Sequence, residues 1–244
     1  MDRFLKTSIL LLLGAFLFMR VMDGTVLYYI NQRFVLLTWL AAGGFLLVAA
    51  SYYLVSGQHA HAHAHDHDHG VLTWAGLLIV SLPLLLGWLV PPRPLGAAAI
   101  GNREINVGTM GSLTSVAPPQ PGSALGLTAG EKNILDWLSD FQRQSDPAAF
   151  NGQEAHIIGF VYRDPRFADD TFMVARFTVS CCVADAAPIG LIVQWPDAAA
   201  IPADQWVEVT GHFAVGVFDG RQIPILVADS IVPTDPPAQP YLYL

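Results

Sequence analysis

The sequence predicts a membrane α-helical N-terminal region with three transmembrane helices, followed by a soluble all-β C-terminal domain. That domain reads as an OB-like five-stranded barrel with one preceding amphipathic helix. Three observations carry the prediction. Hydrophobic residues make up 53% of the 244-residue chain and charged residues only 13%, and the apolar ones concentrate in the first 90 positions. A single amphipathic, cap-like segment follows a Pro/Gly/Ala-rich stretch. After it the apolar period changes from helical to strand-like. The expected organisation is 1–90 membrane region, 91–127 linker, and 128–244 helix plus barrel.

A helix needs about 20 apolar residues to cross a bilayer. Phe34 to Val55 carries no charge and is long enough, and Val71 to Val90 is a second charge-free span. The first span, about 5–30, is apolar through Met19 but contains Arg20 and Asp23. Each costs about 2.5–3.5 kcal/mol at mid-membrane, and their spacing lets one helical face pair them. In one reading the polar end lies at the interface, with Tyr28, Tyr29 and Arg33 among headgroups. In the other, Arg20 and Asp23 face a partner helix or a polar path inside a larger complex. A cleaved signal peptide fits less well. Arg3 and Lys6 suit one, but no small-x-small cleavage site follows and a second apolar span comes almost at once.

Three spans would put the chain ends on opposite sides of the membrane. Arg3 and Lys6 favour a cytoplasmic amino terminus, against Arg33, Arg93 and Arg103 on the other side. Following the first helix, the loop 57–70 is cytoplasmic and everything after Pro91 is extracytoplasmic, in a multi-pass membrane protein.

That loop holds six alternating histidines, His59, His61, His63, His65, His67 and His69, interleaved with Ala and with Asp66 and Asp68. Imidazole and carboxylate are the usual ligands of zinc and similar ions, and the spacing lets several reach one ion. The competing reading is a soluble linker that binds metal incidentally, or an expression tag. A tag fits poorly, because the tract is internal and does not run His-His.

From Pro91 to Leu127 the chain reads as a linker, with Pro118, Pro119 and Pro121 close together. Thr128 and Glu131 have capping-box spacing, and Ile134, Leu135, Leu138 and Phe141 form one apolar stripe. A helix is expected from about Ala129 to Gln144, its stripe docking on the domain that follows. Five β-rich runs come next: Glu154–Tyr162, Thr171–Val179, Gly190–Trp195, Trp206–Ala214 and Gln222–Ala228. Asp164-Pro165, Pro188, Pro202 and Asp219-Gly220 punctuate them. Gly159 and Gly211, near strand centres, permit the tight coiling of a small closed barrel. An open sandwich is the alternative. The formal net charge of −8 leaves no basic stripe to bind nucleic acid.

The chain has two cysteines, and they are adjacent: Cys181 and Cys182. Soft thiolates bind zinc, copper(I) or trivalent arsenic. Neighbouring strand residues point to opposite faces, so both sulfurs reach one ion only if the chain bends after Val179. Asp185 is within reach as a carboxylate ligand or orienter, and His156 or His212 could complete a site from another strand. Two other readings stand beside this one. A sulfur can simply pack as a small hydrophobe, or the two can form a vicinal disulfide or an exchangeable redox pair. Arg176 is either a barrel-supporting ion-pair partner, for instance of Asp185, or a functional cation that lowers a thiol pKa.

Several motifs together suggest a family. They are the Leu82-Pro83-Leu84-Leu85-Leu86-Gly87 to Pro91-Pro92 exit, Gly159-Phe160-Val161-Tyr162-Arg163, Arg176-Phe177-x3-Cys181-Cys182-x-Ala184-Asp185-Ala186, and Trp206-Val207 with Gly211. With three apolar spans and a His-Asp loop before the third, the chain resembles the YcgQ-like bacterial membrane proteins, which are provisionally described as subunits of a two-component permease. The resemblance implies a larger polytopic membrane permease, encoded next door, as partner. It also implies a functional cluster of Arg176, Cys181, Cys182 and Asp185.

Two functions follow as expectations. The first is a non-enzymatic accessory permease subunit in the lipid bilayer that binds a metal ion or thiophilic solute and assists its transport. Zinc or another thiophilic or borderline divalent ion would be held by the six histidines or by Cys181, Cys182 and Asp185. The second is a membrane-anchored thiol redox or sensor protein using Cys181-Cys182. Gly-x-Ser-x-Gly, His-Glu-x-x-His and phosphate-loop motifs are absent from the sequence, so hydrolase chemistry is not expected.

Overall fold

The computed structural model describes residues 2–54, 74–100, 106–107 and 132–243. The histidine tract 59–69 and most of the 91–127 stretch lie outside the described residues. The chain divides into two compact units, Met1–Arg93 and Pro94–Leu244.

Among its described residues the first unit holds three α-helices, α1 (Asp2–Met22), α2 (Val35–Leu54) and α3 (Trp74–Leu89). Of the three expected spans, one is long and apolar enough to cross a membrane among the described residues: Gln32–Tyr52, 21 residues with mean hydropathy 2.1. The first helix stops at Met22 and does not continue to Ile30. Gly24 takes a left-handed turn at φ 74°, which only glycine adopts without strain, and Asp23 accepts from the backbone N–H and hydroxyl of Thr25. With charged residues at its start, α1 has an apolar stretch of only Thr7–Met22, and the described part of α3 is 16 residues. Both fall short of the ~20 residues a bilayer demands.

Small residues bring α1 and α2 together. Ala42 and Ala49 are buried, and a Cβ on Gly14 would lie 3.3 Å from the Ala42 carbonyl oxygen. This is the close backbone approach by which helices associate in lipid, where no hydrophobic force draws them together. On the opposite side of α2, Leu36 and Leu47 face outward. Arg20 bridges to α3 by donating to the Gly87 carbonyl (2.5 Å), and it lies 3.7 Å from Asp23. Its partners therefore include a helix of the same chain. A cation beside the last carbonyls of α3 is favoured by the helix dipole.

The second unit opens on a single helical turn, α4 (Ala97–Ile100), and its body is a closed barrel of β2 (Glu154–Tyr162), β3 (Thr171–Val179), β4 (Ala187–Gln194), β5 (Trp206–Phe218) and β6 (Arg221–Pro233). The ring runs β2–β3–β4–β6–β5–β2, antiparallel throughout except β4–β6, which is the OB-like order. Short strands β1 (Asn106–Val107) and β7 (Leu242–Tyr243) add in parallel to β4 and β3. Pro188 is not a turn residue as expected. It enters β4 opposite Phe177, near the strand start where a missing donor is tolerated. Asp219 and Gly220, at φ 50° and 73°, make the two-residue turn between β5 and β6.

One core fills the barrel and a second coats its outer wall. Inside, Ile157, Val161, Phe172, Val174, Val209, Phe213 and Leu226 meet the apolar face of a helix, α5 (Ile134–Arg143). The expected stripe docks on the barrel, with Trp137 added at its centre. The helix begins at Ile134 and not at Ala129. Its capping box is made by Asn133 and Asp136: the Asn133 side chain accepts from Leu135 and Asp136 N–H, and Asp136 accepts from Asn133 N–H, while the expected pair Thr128 and Glu131 lies outside the described residues. Outside, Phe160, Phe177, Trp206 and Tyr241 enclose Ile100. Residues 94–100, read as the start of a linker, are strapped to this wall. Leu95 N–H donates to the Tyr241 hydroxyl (2.9 Å) and Ala97 N–H to Asp204 (2.7 Å).

Candidate thiol and carboxylate site

The loop after β3 is where the two cysteines lie. Strand β3 ends at Val179, the chain turns at Ser180, and Val183–Asp185 form a single 3-10 turn before β4. Asp185 organises that bend. One carboxylate oxygen accepts from Ser180 N–H (2.8 Å), and the other accepts from Cys181 N–H (2.7 Å) and Cys182 N–H (3.2 Å). Three donors on one carboxylate fold the segment back on itself, so the alternation that would separate two neighbouring strand residues no longer applies. The Cys181 and Cys182 sulfurs lie 3.7 Å apart as free thiols. Together with an Asp185 oxygen they form a group whose potential ligand atoms all lie within 4.8 Å of one another. The group is accessible: Cys181 and Asp185 are exposed and Cys182 is half-buried.

The electrostatics tie the thiol to the carboxylate. The hydrogen bond to Asp185, reinforced by Cys182, pushes the Cys181 thiol up to about 11. Burial pushes the Asp185 carboxyl up, but hydrogen bonds from the Cys181 thiol and from the Cys181, Ser180 and Cys182 N–H groups outweigh it, and the carboxyl ionises below its ordinary range. Asp185 stabilises the loop above the ordinary carboxylate pKa, and this is lost as pH falls through its lowered value. Cys181 stabilises it below the ordinary thiol pKa, and this is lost as pH rises towards 11. An Asp185→Asn substitution keeps an acceptor oxygen but removes the charge. Alkylation of Cys181 at pH 9, followed by mass spectrometry, is expected to quicken about tenfold. An unchanged rate would mean that Asp185 does not hold the thiol proton.

Arg176 does not belong to this cluster. Its Nε donates to the Pro240 carbonyl (3.0 Å) and its terminal nitrogen to the Gln239 carbonyl, so the expected pairing with Asp185 does not form. Burial lowers its pKa to about 10. Its role is to fasten the C-terminal segment, which brings β7 alongside Thr178 and Val179 at the foot of the cysteine loop. Nor does Arg176 lower a thiol pKa, since Cys181 shifts the other way. His156 and His212 lie apart from the sulfurs, His156 on Glu208 (2.5 Å) and His212 on Asp229 (3.4 Å). Glu154 to His156 pair with Thr210 to His212 on neighbouring strands, which explains why neither histidine reaches the loop. Arg163 of the Gly159–Arg163 motif donates to the carbonyls of Ala198 and Ile201, a structural role. The segment Gln239–Tyr243 was missed in the sequence, where the aromatic and apolar run Tyr241-Leu242-Tyr243 after a proline-rich stretch was its only signal.

Residues 5–106 match the model of the DUF1980 N-terminal domain and residues 122–244 that of the DUF1980 C-terminal domain. The chain belongs to the DUF1980 family. One similar protein, from Streptococcus mutans serotype c, is provisionally named a two-component membrane permease complex subunit. It is 23% identical over 197 residues, covering 68% of this chain and 72% of its own length. Another, the UPF0703 protein YcgQ of Bacillus subtilis strain 168, is 25% identical over 99 residues, 40% of this chain and 35% of that protein. The resemblance to the YcgQ-like proteins therefore holds. The DUF1980 C-terminal match contains the whole barrel and the cysteine loop, and the N-terminal match contains α2, α3 and α1 from its fourth residue onward.

Proposed function

We propose that this DUF1980 protein is a non-enzymatic accessory subunit of a bacterial membrane permease. In this reading it is held in the inner membrane by its N-terminal helices, and its barrel presents a loop that takes up a metal ion or thiophilic solute. The observation that carries the reading is the accessible group of Cys181, Cys182 and Asp185 on a chain that also has a 21-residue apolar helix. The name of the Streptococcus mutans relative supports association with a permease. The raised Cys181 pKa argues against redox exchange, because a nucleophilic cysteine needs a lowered one, whereas a bound cation itself deprotonates the thiols it coordinates. A multi-pass arrangement with the histidines cytoplasmic and the barrel extracytoplasmic belongs to the same reading. The six histidines would then collect ions on one face and the thiols act on the other.

The test is to purify the full chain from its native membrane and ask whether the polytopic protein encoded beside it comes with it. Accumulation of zinc, copper or arsenite is then compared between cells carrying the native chain and the Cys181→Ser, Cys182→Ser double variant. Co-purification with a several-fold change in accumulation supports the proposal. Absence of the partner, or equal accumulation of all three, overturns it.

A further inference from the structure

The dimensions of the cysteine loop narrow the ligand class. For a tetrahedral ion with metal–sulfur bonds of about 2.3 Å, two thiolates on the same ion stand about 3.8 Å apart. Cys181 and Cys182 sulfurs stand 3.7 Å apart before any ion is added. The third donor is already oriented, because three backbone N–H groups hold the Asp185 carboxylate beside the sulfurs, two of them on Oδ2 and one on Oδ1, which leaves Oδ1 a lone pair beyond these bonds. Among the described residues no histidine, cysteine or acidic side chain supplies a fourth donor to this group. Structural zinc sites are closed by four protein ligands, whereas sites that exchange or activate something keep one position open. Two thiolates also disfavour magnesium and calcium, which take oxygen ligands.

We infer that loop 180–185 binds one divalent ion of the zinc class in tetrahedral geometry, through Cys181 Sγ, Cys182 Sγ and one Asp185 oxygen, with the fourth position open to an incoming donor. Binding forms two metal–thiolate bonds. Both thiol protons pass to solvent, and no electron is transferred. The open position is what a site that hands its ion to another protein requires, since the receiving ligand can attach before the first three let go. This inference rests on the proposed role of the same loop. It can fail alone: a permease subunit whose thiols take arsenite or copper(I) would still satisfy the partner and accumulation tests above.

The test uses the full chain in detergent under reducing conditions, titrated with cobalt(II) and then with zinc(II). Cobalt held by thiolates gives a sulfur-to-metal charge-transfer absorption that the histidine tract cannot produce, and a tetrahedral site gives intense visible bands. One equivalent of cobalt is expected to produce both, and zinc to abolish both. Cys181→Ser or Cys182→Ser should weaken the thiolate-linked binding at least tenfold. Asp185→Asn, which keeps one of the loop's two acceptor oxygens and removes the charge, should weaken it by about tenfold. Added imidazole should shift the visible bands without loss of the charge-transfer absorption, as a fourth ligand enters. Weak octahedral-type absorption, no charge transfer, or equal binding by the serine variants overturns the site. Visible bands indifferent to imidazole overturn its open position.

Discussion

Replacing Trp137 with alanine is expected to destabilise the barrel unit by about 3–5 kcal/mol, the range for emptying a buried aromatic site. Trp137 is fully buried, meets the Phe213 ring at 4.7 Å edge to face, and lies under the Lys132 ammonium at 4.5 Å. Phe141 and Phe150 complete the aromatic cluster, so one truncation opens a cavity where α5 plugs the barrel. Trp137→Phe should cost far less, because the indole Nε1 is buried with no hydrogen-bond partner among the described residues and its removal leaves nothing newly unpaired. Thermal denaturation of the detergent-solubilised chain, followed by circular dichroism, checks both. The alanine variant should melt roughly 10 °C or more below the parent. A shift of only a degree or two would mean that α5 is not integral to the barrel.

Gly211→Ala is expected to cost about 3 kcal/mol or more, at the upper end of overpacking effects. Gly211 sits at the irregularity in the β5–β6 register, and a Cβ there would overlap the carbonyl oxygen of Val227 and come within 2.9 Å of the Ala228 Cα. Both are backbone atoms of a paired strand, so no side-chain rotation relieves the clash. Gly216→Ala is the matched comparison. Its added Cβ would meet only the side chain of Ile225, in the outer part of the same hairpin, where the chain end can turn away. Urea denaturation of the two variants should separate them clearly. Equal midpoints would show that the bulge is not what forces glycine at 211.

The legible parts of this molecule are those where local pattern and global structure agree. Alternation from Glu154 to Tyr162 and from Thr171 to Val179 marks strands whose ends match the structure to the residue. Both are hemmed in by turn-formers, which leave the pattern no other register. Gly159 was legible for the same reason, since a Cβ there would come 2.6 Å from the Ala175 carbonyl oxygen. Caps were less legible. Thr128-Glu131 and Asn133-Asp136 both have the required spacing, and only the packing of Ile134 and Trp137 into the barrel mouth decides which pair caps the helix. In the candidate site, Cys181, Cys182 and Asp185 could be named together because they lie at most four positions apart. Arg176, His156 and His212 were misassigned because their partners come from Gln239, Pro240, Glu208 and Asp229, distant in sequence.

The amino-acid order alone therefore determined the two-part organisation, an apolar helix within 34–55, the five barrel strands and the thiol–carboxylate segment. Each of these depends on residues within a few positions of one another, where periodicity, turn chemistry and side-chain type act directly. Tertiary structure alone decided that Asp185 faces the sulfurs and not Arg176, that Arg176 fastens the C-terminal strand, and that residues 94–100 lie along the barrel wall. Those outcomes depend on which distant carbonyls and ring faces closure of the barrel brings within hydrogen-bond reach.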